Sequence, residues 1–146
     1  MKKYTLGFIF NESLDKVLLM HKLKPAFQIG MLNGLGGKIE EGESGGECIV
    51  REISEEIGLL TKEEDWISVG SVGADTVWHM EVYAYIYKGT IRDIQSLEEE
   101  QVEWFGVGSL PSNILSNLQW LIPLCLDKIE GNGLNDFRVT YIHRDT

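Results

Sequence analysis

Only two cysteines, Cys48 and Cys125, occur in the 146 residues. That scarcity excludes a disulfide-stapled scaffold and makes a reducing cytoplasm the expected setting. Prolines number three, and no low-complexity run, internal repeat or linker interrupts the chain. Nor is any stretch long and apolar enough to span a membrane. The opening MKKYTLGFIF does not read as a secretory signal, because its short apolar run alternates and leads into a second strand-like segment. Positive charge is scarce as well, with 13 basic against 23 acidic side chains and a net charge of −10. A basic face for a nucleic acid polymer is therefore not expected. A single nucleotide remains admissible, since bound cations invert the local field. His21, His79 and His143 are not spaced as zinc ligands, and no G-x-S-x-G nucleophile context occurs.

What the chain does have is one unusual stretch, Gly37 to Leu59, reading GKIEEGESGGECIVREISEEIGL. It holds seven acids and two bases, about half of the net excess. A glycine-rich loop here runs into an amphipathic helix. With about 100° between successive positions, Glu52, Glu55 and Glu56 share one face, while Ile49, Ile53 and Ile57 form a stripe that can be buried. Ser44 and Glu47 have the spacing of a capping box, and Gly58 suits a left-handed helix end. Carboxylates crowded together repel one another unless a cation sits between them. Oxygen-only ligands suit a hard divalent ion, and magnesium commonly keeps waters and binds substrate phosphates.

The remaining elements point to one domain, residues 1–146, of mixed sheet flanked by helices. Lys3 to Phe10 and Val17 to His21 have strand composition, and so do Ile67 to Ala74, Val77 to Tyr87, Val102 to Val107 and Phe137 to His143. The helix runs from about Ser44 to Ile57. Ile114 to Ile129 is a second helical region, in which Pro123 predicts a break.

The stretch from Gly37 to Leu59 resembles the Nudix box at Gly37, Glu43, Arg51, Glu52, Glu55, Glu56 and Gly58. Similarity extends to Gly30–Lys38, to Trp104-Phe105 with Leu110-Pro111, and to Trp120–Leu124, segments like those of MutT-type members that act on oxidised purine nucleoside triphosphates. The resemblance implies an α/β fold, an α/β/α sandwich with a mixed β-sheet. It also implies magnesium, with manganese able to substitute, held by Glu52, Glu55, Glu56 and the Gly36 carbonyl. A glutamate from the loop before Trp104 approaches the metal or the attacking water in the family. Spacing selects Glu99, with Glu100 as the rival. Arg51 and Glu43 are expected to be structural within the box, as are Gly37 and Gly58.

The implied reaction is attack of water at the β-phosphorus of a nucleoside triphosphate, giving a nucleoside monophosphate and pyrophosphate. Glu52 and Glu99 are both candidates to accept the proton of the water. Lys38, Lys22 and Lys24 are candidates to neutralise phosphate, beside the backbone of Gly36 and Gly37. For the base, Asn33 offers a donor and an acceptor, while Phe27, Trp78, Met80 and Trp120 offer flat or soft walls. Asn117 stands three residues before Trp120, where oxidised-purine enzymes carry an acidic residue, and Leu32 stands in place of an aromatic. Both departures weigh against strict 8-oxoguanine specificity. Other readings are a Nudix enzyme acting on ADP-ribose or a dinucleoside polyphosphate, and a nucleotide-binding sensor without turnover. Subfamily markers for the former are missing, because Asp75 and Thr76 stand in their place. Sensors usually lose box glutamates, and this chain keeps them.

Overall fold

The structure is a computed structural model and describes residues 1–131 and 135–142. Its organising strand is β1 (Lys2–Asn11), whose six residues from Thr5 to Phe10 are all buried. A run buried on both faces must have neighbours on both edges and a layer above and below. On one edge β1 pairs in parallel with β5 (Trp78–Tyr87) along its whole length, from Lys2 opposite Trp78 to Asn11 opposite Tyr87. Its other edge is shared. Ile9 and Phe10 pair with β2 (Lys16–His21), whereas Gly7 and Tyr4 bridge to Leu35 and Lys38 in the loop that precedes the box. That loop leaves β2 at the short strand β3 (Leu32–Asn33) and crosses to β1.

The sheet is completed by β4 (Ile67–Ala74), antiparallel to β5, by β7 (Phe137–Thr140), parallel to β4, and by β6 (Val102–Gly106), antiparallel to β2. Alternation along β1 sends Leu6, Phe8 and Phe10 to one face and Ile9 to the other. The first face packs on helix α2 (Leu118–Ile129) through Leu118, Leu121, Ile122 and Cys125. The second packs on helix α1 (Gly45–Ile57) through Ile49, Ile53 and Ile57, with Trp66 beside them. The result is an α/β/α sandwich with a mixed sheet.

Helix α1 begins and ends where its local chemistry directs. Ser44 accepts the Glu47 N–H at 3.1 Å, Glu47 accepts the Ser44 N–H at 3.1 Å, and Gly58 closes the helix at φ 69°. Helix α2 departs from expectation. It starts at Leu118 and runs unbroken through Pro123. The first turns before it are closed by i to i−3 bonds, Leu118 N–H to Leu115 and Gln119 N–H to Ser116. Proline in a helix interior costs about 3 kcal/mol. Burial of Leu118, Leu121 and Ile122, each contributing about 1.5–3 kcal/mol, outweighs that. Strand β7 ends at Thr140, short of the expected His143, which lies outside the described residues.

Pro123 is exposed and has no N–H for the preceding turn of α2. Pro123→Ala should therefore raise the unfolding free energy by about 1–3 kcal/mol in urea titrations. A lower midpoint would mean that the proline is needed to set the entry of α2.

Candidate active site

The site lies where the box loop meets α1. Gly36 has φ 144°, and a Cβ there would collide with the Thr5 carbonyl oxygen, so only glycine lets the loop lie this close to β1. A Cβ on Gly37 would stand 2.5 Å from the Glu52 carboxylate. The backbone is bare there because a carboxylate occupies the space. Behind it, Thr5 N–H donates to the Gly37 carbonyl at 2.8 Å and fixes the loop to the sheet.

Two carboxylates converge on this backbone. Glu56 is 4% exposed, and its Oε1 accepts the Gly36 N–H at 3.2 Å. Burial pushes the Glu56 pKa up to about 9, helped by the charge of Glu52 and by a hydrogen bond to it, while the Gly36 N–H opposes the shift. Burial beside the Glu52 charge therefore favours the protonated form of Glu56. Glu98 adds a smaller push in the same direction.

Arg51 holds the rest of the acidic set. Its Nε and Nη2 donate to Glu43 at 2.7 and 2.9 Å in a two-pronged pair. Nη1 donates to Glu52 at 3.0 Å and to Glu55 at 3.3 Å, and Nη2 also donates to the Lys38 carbonyl at 3.1 Å. The Arg51 fork holds the Glu43 carboxyl down at about 2, with the Glu40 N–H assisting. Glu55 faces Arg51 and solvent in this arrangement, its side chain 53% exposed.

The acidic loop before β6 sorts its glutamates differently from the sequence expectation. Ser96 Oγ donates to the Glu98 and Glu100 carbonyls at 3.0 and 2.6 Å and winds the loop round itself. Leu97 N–H donates to the Glu56 carbonyl at 2.8 Å, which ties the loop to α1. Glu98 is the member whose charge reaches Glu56, and no periodicity in this loop singles it out. Glu99 is exposed. Glu100 is buried and turned away to Lys22 at 3.1 Å and to the Leu23 N–H at 2.8 Å. Burial raises the Glu100 pKa, but these donors outweigh it and leave a net lowering. Lys22 is thereby committed to Glu100, whereas Lys24 and Lys38 are exposed.

The candidates for the base are spread over the α2 side of the sheet. Trp78, Met80 and Trp120 are partly buried against that core, with Trp120 edge-on to Phe137 and Trp78 tilted against Tyr141. Phe27 stands apart, 78% exposed, in a short 3-10 turn (Ala26–Gln28). Asn33 Oδ1 accepts the N–H of Gly34 at 2.8 Å. Asn117 sits at the entry of α2 without capping it, and its buried Oδ1 has no partner among the described residues.

Does this donor set fit magnesium? Among the described residues no three or more His, Cys, Asp or Glu side chains are gathered closely enough to hold a metal ion. What converges on the Gly36–Gly37 backbone is the carboxyl pair of Glu52 and Glu56. The Gly36 carbonyl lies on the same loop, and no donor reaches it among the described residues. Two carboxylates with a carbonyl, completed by water and phosphate oxygens, fit the habits of that ion.

Fold and site together define an α/β/α sandwich with a carboxylate site where a glycine loop meets its first helix. Residues 2–123 match the NUDIX domain model, and the chain belongs to the Nudix family. It is 32% identical over 97 residues to the NAD-capped RNA hydrolase NudC of Pseudomonas aeruginosa, across 66% of this chain and 34% of that protein. The chain thus spans about a third of the length of the curated relatives it matches. Among solved structures it resembles a MutT NUDIX hydrolase from Burkholderia pseudomallei (18% identity, TM-score 0.70, 84% of this chain and 96% of that one). It also resembles the NUDIX domain of Shewanella oneidensis NrtR complexed with ADP ribose (17% identity, TM-score 0.69, 87% of each chain). At such identities the structures establish a shared fold.

The proton on Glu56 has a measurable consequence. Its folded pKa, about 9, lies above its ordinary 4.5, so between these values the folded state holds a proton that unfolding releases. The contribution is full below about pH 4.5 and is lost as pH rises towards 9. Urea unfolding in EDTA should show stability falling across that window, and Glu56→Gln should flatten the slope. Parallel profiles for the two proteins would contradict the assignment. Added magnesium should stabilise the wild type more at pH 8.5 than at pH 6, since binding displaces the same proton.

Proposed function

We propose that the chain is a magnesium-dependent hydrolase of nucleoside triphosphates, releasing a nucleoside monophosphate and pyrophosphate, with a purine base preferred. The observation that carries the hydrolase reading is the Glu52–Glu56 pair pressed against the bare backbone of Gly36 and Gly37. When bound there, magnesium would neutralise phosphate charge and acidify water. The chain supplies the rest. Arg51 keeps Glu52 and Glu43 in place, the Gly36 N–H orients Glu56, and Glu52 or Glu99 accepts the proton of the attacking water. The oxygen of that water bonds to the β-phosphorus, and the α–β bridging oxygen leaves with the nucleoside monophosphate.

The purine preference rests on two amides. Bridging of Leu32 to Ile114, and of Leu115 N–H to the Leu32 carbonyl, sets the Asn33 and Asn117 segments side by side. Asn33 spends its oxygen on Gly34 and keeps its NH₂ donors, while Asn117 keeps a buried acceptor. One donor group and one orphan acceptor suit an oxopurine edge, which carries a carbonyl beside ring and amino N–H groups. Lys24 and Lys38 are the cations available to the phosphates. The acidic balance favours a mononucleotide over a polymer, and two buried, unpaired thiols suit a reducing compartment. A second reading, hydrolysis of a dinucleotide pyrophosphate, is favoured by the curated relatives named as NAD-capped RNA hydrolases.

A magnesium-supplemented panel of nucleoside triphosphates, ADP-ribose and NADH, with products resolved by chromatography, tests these readings. Monophosphate plus pyrophosphate from a purine triphosphate is the expected result, and Glu52→Gln should reduce kcat by about 10²–10⁴. Preferential cleavage of NADH or ADP-ribose would replace the first reading by the second. Asn33→Ala should raise KM for dGTP well above its effect on dCTP, and equal effects would remove the base-reading role.

A further inference from the structure

The buried carboxylate of Glu100 does not face the Glu52–Glu56 pair, and what it does face is a second loop. Its Oε2 accepts the Leu23 N–H at 2.8 Å and the Lys24 N–H at 3.4 Å, and Lys22 Nζ closes the contact at 3.1 Å. Two successive amides and an ammonium group converge on one side chain of 7% exposure. The next residues reinforce the junction, since His21 N–H donates to the Gln101 carbonyl at 2.8 Å. The captured loop is self-contained: Lys22 N–H donates to the Met31 carbonyl, and Gly30 N–H returns to the Lys22 carbonyl. Between these ends lie Lys24, Phe27 and Ile29, all exposed, with Phe27 at 78% and Ile29 at 60%. On its far side the acidic loop is bonded to α1 through Leu97 and the Glu56 carbonyl. One unbroken set of hydrogen bonds therefore joins the box helix, the loop carrying Glu98 and the loop carrying Lys24 and Phe27.

We propose that Glu100 is a positioning residue that holds the Lys22–Met31 loop against the acidic loop beside α1, so that this loop meets the nucleotide in one fixed orientation. This rests on the hydrolase reading above and adds to it which part of the chain forms one wall of the nucleotide site. Burying a carboxylate is costly unless it is fully paired, and here each donor lies on the loop to be held. A buried clip of this kind orders the loop before the nucleotide arrives, which lowers the entropy lost on binding. Exposed Phe27 and Ile29 are then apolar surface held ready for a base.

Two readouts test it. Amide hydrogen exchange of the full chain, without nucleotide, should show the Leu23 and Lys24 amides exchanging at least roughly tenfold faster in Glu100→Ala, with α1 unchanged. Steady-state hydrolysis of dGTP with magnesium should show KM raised by roughly tenfold in Glu100→Ala and kcat within about threefold of wild type. Glu100→Gln keeps an acceptor for the two amides and should recover most of the KM. Lys22→Met, which leaves those amide bonds intact, provides a second, milder variant with a KM between the two. Unchanged exchange at Leu23 and Lys24, or an unchanged KM, overturns the proposal while leaving the hydrolase reading untouched. A collapse of kcat with a higher magnesium requirement also overturns it, by putting the carboxylate at the metal. A wild-type protein inert towards every nucleotide in the panel defeats the hydrolase reading, and the positioning role with it, before any variant is made.

Discussion

The constraint on which the molecule turns is mutual repulsion of carboxylates packed around one guanidinium. Arg51 touches Glu43, Glu52 and Glu55 and also the Lys38 carbonyl, so a single cation ties the box loop to the box helix. Ion pairs at a protein surface contribute little singly, but a forked contact that engages several acids restricts geometry strongly. The fork cannot neutralise the whole set. Arg51 makes no contact with Glu56 among the described residues, and burial beside Glu52 raises the Glu56 pKa. That residual imbalance is what the proposed divalent ion would relieve.

The sheet exists in a form that creates this place. Because β1 divides one edge between β2 and the box loop, a gap opens at the middle of the sandwich where backbone without side chains can face a helix. Gly36 and Gly37 line the gap, and the buried Ile49, Ile53 and Ile57 stripe sets the rotation of α1 so that Glu52 and Glu56 point into it. Packing of the apolar stripe and presentation of the carboxylates are thus two faces of one helix orientation. Displacing either would displace the other.

Local rules were readable from the sequence and distant ones were not. The capping box at Ser44 and Glu47, the left-handed stop at Gly58 and the bounds of β4 follow from residues within a few positions of one another. The box motif itself located the family. By contrast, the roles of Glu98, Glu99 and Glu100 depend on a loop wound round Ser96, where no periodicity tells which side chain turns inward. Lys22 reads as a free cation until its partner 78 residues away is known. The break expected at Pro123 gave way to side-chain burial, a tertiary effect invisible in the local pattern. The orphaned oxygen of Asn117 could be found only by accounting for buried acceptors in three dimensions.

We propose Glu52 and Glu56, at the Gly36–Gly37 backbone, as the seat of a divalent cation. Titration with manganese, with free ion counted by electron paramagnetic resonance at pH 8, addresses it without reference to any substrate. Saturable binding by the wild type, lost in the Glu52→Gln/Glu56→Gln double variant that keeps its folded circular-dichroism spectrum, is the predicted result. Equal manganese binding by the two proteins would leave Glu52 and Glu56 without a metal-holding role.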